Sequence, residues 1–184
     1  SVLHQDRSGV LWAANAYALY RYDEKNDLFQ NTHLNSGTAN QQIKGMFTII
    51  AEDVDNSLWL GTANGLKRFD PQKGTIKNYG VKDGLGDDAI AGLLVDEQDR
   101  LWVSTARGLS VLNPDDDSIR NYDLGSYNRG ANYISKTGTL FFGGLHGMTY
   151  FSTDDIGDNL HIPKLVITSF KKFNKEVQLE GSGT

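Results

Sequence analysis

The residues best placed to do chemistry in this sequence are its acids and its four histidines. Asp87-Asp88 and Asp115-Asp116-Asp117 set carboxylates side by side, but acid–base catalysis needs two carboxyl groups at a defined separation with pKa values driven apart. Neighbouring acids in polar loops are ordinarily solvated. His4, His33, His146 and His161 are scattered, with no pair at metal-ligand spacing. Asp53-Val-Asp55-Asn-Ser57 resembles the start of a calcium loop, yet the glycine at the sixth position and the distant glutamate are missing. Phosphate loops, nucleophile elbows and nucleotide fingerprints are also missing at their required spacings. The expectation is a chain without catalysis, metal or cofactor.

What the side chains can do is recognise. Tyr17, Asn64, Arg107 and His146 each stand five residues past a recurring aromatic, and Tyr127, Asn128, Arg129 and Asn132 cluster in one later segment. These eight are the candidate ligand-binding residues. Amides and guanidinium groups supply directional hydrogen bonds and the phenols flat apolar faces, a mixture suited to a polyhydroxy or anionic small molecule. The bland alternative is ordinary variable surface.

The elements that must carry them follow from an internal repeat. Leu11-Trp12, Leu58-Trp59, Leu101-Trp102 and Leu140-Phe141 recur at intervals of 47, 43 and 39 residues. Asp6, Asp53 and Asp96 lie six residues before the aromatic, with Ser135 in the fourth copy, and Ala18-Leu19, Gly65-Leu66, Gly108-Leu109 and Gly147-Met148 follow it. The second copy resolves into β-type runs over Phe47 to Glu52, Leu58 to Thr62, Gly65 to Asp70 and Gly74 to Tyr79, separated by turn-forming residues. With no 3.6-residue apolar period, the fold class is all-β: a β-propeller fragment of about four four-stranded blades. Trp12, Trp59, Trp102 and Phe141 are expected between blades as core, and the repeated Asp as a turn cap. The four candidate tips then fall between the second and third strands of their blades. The inter-blade loops, Lys82 to Ala91 and Ser126 to Asn132, are expected to open onto the same face near the central channel.

Composition narrows the partners. The 184 residues are 39% hydrophobic and 22% charged, ordinary globular values, with a formal net charge of -5 that argues against a nucleic-acid surface. No apolar run approaches the length of a membrane helix, so no direct membrane contact is expected. Zero cysteines exclude disulfides. Patterned segments at both ends make the chain read as cut from a larger protein.

Leu58-Trp-Leu-Gly-Thr62, Gly65-Leu-Lys-Arg-Phe-Asp-Pro71 and Asp83-Gly84-Leu85 closely resemble the two-component regulator propeller repeat, and Leu101-Trp-Val-Ser-Thr105 with Gly108-Leu-Ser-Val-Leu-Asn-Pro114 repeats it. Gly138 to Gly144 with Gly147 to Phe151 looks like the family's last blade. Ile162 to Phe170 and Asn174 to Val177 are similar to the opening of the three-tyrosine β-sandwich that follows such propellers. The first copy departs, with Ala13-Ala-Asn-Ala-Tyr17 for Gly-Thr-x-x-Gly and a polar segment from Gln30 to Lys44. The resemblance implies a partial propeller over 1–160 and the first strands of a β-sandwich over 161–184. It implies a periplasmic sensor region of a membrane-anchored signalling protein, binding a small molecule or glycan fragment and relaying it through the sandwich. The alternative is a protein-interaction or dimerisation scaffold without a small-molecule ligand, and under either reading self-association as a dimer through the propeller ends or the sandwich is expected.

Overall fold

The computed structural model describes residues 1–34, 42–156, 171–172 and 175–176. Its strands are β1 (Val2–Gln5), β2 (Leu11–Ala14), β3 (Leu19–Asp23), β4 (Leu28–Asn31), β5 (Phe47–Glu52), β6 (Leu58–Thr62), β7 (Gly65–Asp70) and β8 (Thr75–Tyr79). They continue with β9 (Ile90–Val95), β10 (Leu101–Thr105), β11 (Gly108–Leu112), β12 (Ile119–Tyr122), β13 (Tyr127–Ile134), β14 (Thr139–Gly144) and β15 (Gly147–Ser152). Each run of neighbours forms an antiparallel meander: β1–β4, β5–β8, β9–β12 and, with three strands among the described residues, β13–β15. β16 (Lys171–Lys172) and β17 (Lys175–Glu176) pair with each other. The expected sandwich segment otherwise lies outside the described residues, as do His161 and residues 35–41 of the polar segment in the first copy.

The first hairpin of every sheet is the same object. Asp6, Asp53, Asp96 and Ser135 each take a backbone bond from the residue three positions on, and donate their own N–H to the carbonyl four positions on. The residue three positions past each cap has positive φ and is Gly9, Asn56, Asp99 or Gly138, residue types that tolerate the left-handed region. One carboxylate oxygen then accepts two N–H groups: Ser8 and Val10 on Asp6, Asp55 and Ser57 on Asp53, Gln98 and Arg100 on Asp96. The Ser135 hydroxyl does the same for Thr137 and Thr139.

The second oxygen does something the sequence reading did not include. Asp6 and Asp96 accept the indole N–H of Trp12 and Trp102 at 2.7 and 2.8 Å. In the second sheet Arg68 takes that oxygen through two nitrogens, at 3.1 and 2.7 Å, and stacks on Trp59, whose indole N–H is left without a partner among the described residues. In the fourth sheet the aromatic is Phe141, which has no N–H, and a serine suffices. The repeated acid is thus a turn cap that also orients its tryptophan.

Those tryptophans form the seams. Trp12 packs with Leu58, Leu60 and Phe69 of the second sheet, Trp59 with Leu101, Val103 and Leu112 of the third, and Trp102 with Leu140 and Phe142 of the fourth. The aromatic face of each sheet therefore meets the aliphatic face of the next. Phe141 departs from its expected role: it is only half-buried, and Phe142 on the other face is the buried residue. Phe141 occupies the position that would meet a following sheet, whereas Phe142 faces Trp102.

Two polar stitches tie the first strands together. Thr48 Oγ1 donates to Ile90 O at 3.0 Å and Asn132 Nδ2 to Leu93 O at 2.9 Å. At the other hairpin, Gly108 has φ +117, and an added Cβ would lie 2.3 Å from Tyr122 O. Gly108→Ala should lower stability by about 1–3 kcal/mol, since the backbone cannot relax without breaking the β11–β12 pairing. Urea denaturation at equilibrium would measure it, and an unchanged midpoint would contradict the geometry.

Candidate ligand-binding rim

The tips owe their position to a small polar device in each second hairpin. Thr62 Oγ1 donates to Gly65 O at 2.7 Å and accepts Asn64 N–H at 3.0 Å, and Thr105 Oγ1 makes the matching pair with Gly108 O and Arg107 N–H. The backbone of Asn64 and Arg107 is thereby fixed while both side chains stay exposed. In the first sheet Asn15 replaces the threonine, its Oδ1 accepting the N–H groups of Tyr17 and Ala18 at 2.8 and 3.0 Å. His146 sits at the tip of the fourth hairpin and is exposed.

The connections between sheets meet these tips. Phe47 N–H bonds Asn15 O, Ala63 N–H bonds Met46 O, Gly65 N–H bonds Asp88 O and Leu145 N–H bonds Ser126 O. The four tips and the three crossings therefore lie at one end of the sheets, in chain order. The expected exposure of Lys82 to Ala91 near the channel is only partly met. Leu85 is buried in the second seam, Gly84 O accepts Asn121 Nδ2 at 2.8 Å, and Gly86 N–H bonds Ser110 Oγ, so this crossing is pinned onto the third sheet.

Ser126 to Asn132, expected as a loop, is corrected: from Tyr127 on it is strand β13, with a register shift between Tyr127 and Asn132. Asn128 and Arg129 lie in this irregular stretch and are exposed. Tyr127 is corrected more sharply. It is buried in the third seam against Phe142, its hydroxyl donates to Leu124 O at 2.9 Å and lies 3.0 Å from Thr149 Oγ1, and burial raises its pKa. A phenol so enclosed offers no face to a ligand. Asn132 is half-buried and committed to Leu93 O, making it a stitch between sheets.

The candidates that remain at the surface are Tyr17, Asn64, Arg107, His146, Asn128 and Arg129. Sequence reading missed Asp87 as a neighbour of Arg107: the two approach to 3.5 Å, and the other Asp87 oxygen accepts Ala89 N–H. Such an exposed pair contributes little to stability and leaves most of the guanidinium donors to solvent. The rim thus combines two cations with an imidazole, amides and one phenol.

The other acids singled out by type are engaged elsewhere. Asp53 is fully buried against Arg68, which also lies 3.5 Å from Asp55. Asp88 accepts Val81 N–H at 2.8 Å. Asp117 reaches across the second seam to Lys77 and Tyr79, and the hydrogen bonds from Lys77 and then Tyr79 lower its pKa. Among the described residues no group of three or more His, Asp or Glu side chains is placed to hold a metal ion, and no helix is long and apolar enough to cross a membrane.

No protein-family model matches this chain, and the search of curated proteins gave no match. Solved structures do match. The extracellular domain of the hybrid two component system BT3049 from B. thetaiotaomicron superposes with a TM-score of 0.74 at 19% identity, over 97% of this chain and 26% of that one. The extracellular domain of BT4673 from the same organism gives 0.70 at 23% identity, over 84% of this chain and 23% of that one. PorZ, a surface component of the type-IX secretion system of Porphyromonas gingivalis, gives 0.58 at 16% identity, over 84% and 24%. The chain spans about a quarter of the length of these structures. In fold, then, this chain is a run of β-propeller sheets similar to part of the extracellular domains of hybrid two component systems.

Proposed function

We propose that this chain is part of the ligand-sensing, extracytoplasmic region of a membrane-anchored signalling protein of the two-component regulator propeller family. Its rim binds a small polar molecule or glycan fragment, without turning it over. The observation that carries this reading is the contrast within the repeat. Thr62, Thr105 and Asn15 hold the hairpin backbones alike, while the side chains they project, Asn64, Arg107 and Tyr17, differ in every copy. Packing requires the first set to repeat. Nothing in the packing requires the second set, which is free for recognition. The likeness in fold to extracellular sensor domains supports the same reading.

The test is a thermal-shift screen of oligosaccharides and small carboxylates against the chain. A compound at a hundred times its dissociation constant adds about 2.7 kcal/mol and should move the midpoint by several degrees. For such a hit, Arg107→Ala and Arg129→Ala should each weaken binding tenfold or more, since a hydrogen bond to a charged group contributes about 1.5–3 kcal/mol. Binding untouched by both substitutions would remove the rim from consideration, and an inert panel would favour an interaction scaffold.

A further inference from the structure

One pair of titratable side chains sits inside a seam at a place where the other seams are apolar. In every sheet the first strand sets one residue opposite the aromatic of the second strand, and the next residue opposite the leucine before that aromatic. These residues are His4 and Gln5 in the first sheet, Ala51 and Glu52 in the second, Leu94 and Val95 in the third, and Tyr133 and Ile134 in the fourth. The first of each pair shares the aromatic's face, toward the following sheet, and the second shares the leucine's, toward the preceding one. Ala51 and Val95 therefore belong to the second seam and Leu94 and Ile134 to the third, both packed into their apolar clusters. In the first seam the same two places hold His4 and Glu52.

Their hydrogen bonding is incomplete. His4 Nε2 lies 3.9 Å from Glu52 Oε2, beyond hydrogen-bond distance, with the two side chains 22% and 6% exposed. His4 Nε2 and Glu52 Oε1 are both buried without a hydrogen-bond partner among the described residues, a condition that costs free energy. Glu52 Oε2 accepts Arg7 N–H at 2.9 Å, which holds the carboxylate in the seam. The other charged groups of the surrounding elements are committed elsewhere or face solvent. Asp6 accepts the N–H groups of Ser8, Val10 and Trp12. Arg7 Nη1 donates to Asp53 O, Asp53 holds Arg68, and Arg21, opposite Trp12 on β3, is exposed. An imidazole nitrogen and a carboxylate thus face each other across the seam, and what they lack is a proton.

We propose that His4 and Glu52 form a proton-operated latch on the first seam: a proton taken up by His4 closes a charge-assisted hydrogen bond to Glu52 and docks the first sheet more firmly on the second. Imidazole is the side chain whose charge ordinarily changes in the mildly acidic range. Closing the gap to the usual charge-assisted distance of about 2.8 Å takes a movement of about 1 Å, within reach of side-chain rotation. The protonated imidazole has this partner only in the folded chain, so the added stability is present at mildly acidic pH and is lost as the pH rises through the imidazole range. It is lost again at pH low enough to protonate the carboxylate. Apolar side chains at such a place would usually stabilise as well or better, as they do in the other two seams, so packing gives no reason for a titratable pair in this one. The latch is independent of the ligand-sensing reading, because neither residue lies on the rim.

Equilibrium urea denaturation of three proteins at two pH values tests it. Relative to Glu52→Gln, which keeps the shape of the side chain and removes its charge, the unaltered chain should gain about threefold in its folded-to-unfolded ratio between about pH 8 and about pH 5.5. His4→Leu with Glu52→Ile installs the residues of the third seam. It should be at least as stable as the unaltered chain at the higher pH and should lose the gain at the lower. His33, His146 and His161 are common to all three proteins and cancel in the comparison. If the double variant does not fold, the comparison with Glu52→Gln decides alone. An equal pH dependence in the unaltered chain and Glu52→Gln would overturn the proposal, because the carboxylate would then have no part in it. So would an unaltered chain that loses stability relative to Glu52→Gln on acidification, the result of a seam that rejects the charged imidazole. A double variant that keeps the gain would overturn it as well, by assigning the response to another group.

Discussion

Trp102→Ala will lower the stability of the chain by about 3–5 kcal/mol, the usual range for deleting a large buried aromatic. Trp102 is fully buried, stacks on Tyr122 at 5.9 Å, meets Phe151 at 4.9 Å across the third seam, and closes the Asp96 hydrogen bond. Its removal takes out the centre of the cluster joining the third sheet to the fourth and leaves the Asp96 oxygen it shares with Arg100 to the guanidinium alone. Against a typical total of about 5–15 kcal/mol, the fourth sheet should become the first part to open. Hydrogen exchange resolved along the chain would show this as lost protection over 127–152, with β5–β8 much less affected. A uniform small loss, or a change below about 1 kcal/mol in urea, would show that the seams are not held by their tryptophans.

A double-mutant cycle between Asp96 and Trp102 should show the second large effect. Asp96→Ser keeps a hydroxyl for the two turn N–H groups, as Ser135 does in the fourth sheet, but deprives the Trp102 indole and the Arg100 guanidinium of their carboxylate. Arg100 keeps Gln98 and has some access to water. The indole has neither. The single change should cost about 1–3 kcal/mol, the usual penalty for a buried donor left without its acceptor. Combining Asp96→Ser with Trp102→Phe imports the fourth sheet's solution and removes the stranded donor, so the pair should be less destabilising than the sum by about 1–3 kcal/mol. Strict additivity would mean that the indole–carboxylate bond contributes nothing and that the acid serves the turn alone.

The second sheet already hints at how that cycle behaves. Arg68 has captured the Asp53 oxygen that the other sheets give to tryptophan, and Trp59 is held by the guanidinium stacked on it. The same acid therefore orients its aromatic by two routes, a direct hydrogen bond or an intervening cation.

Much of the fold was legible because its causes are local. Alternation, turn chemistry and the recurrence of one frame placed the strands of the second sheet within a residue of where they lie. The positive-φ positions at Asn56 and Asp99 fall where residue types that tolerate them occur. The tips were legible for the same reason, since each stands five residues past its recurring aromatic, between two strands, with Asn64-Gly65 a tight-turn pair.

Tyr127, Asn132 and Phe141 mark where that logic ended. Tyr127 and Asn132 were read as rim groups because they are polar and sit between repeats. Tyr127 instead lies on the side of β13 that meets Phe142, and Asn132 faces Leu93. Phe141 was expected in the core because it matches a tryptophan, but a matching residue is buried only if something covers it. Sequence by itself determined the strands, their turns and which residues repeat, all set by interactions within a few residues along the chain. Tertiary structure alone decided which face of each strand meets a neighbouring sheet, and so which side chains are core, which are stitches and which stay open, because burial depends on what stands opposite in space.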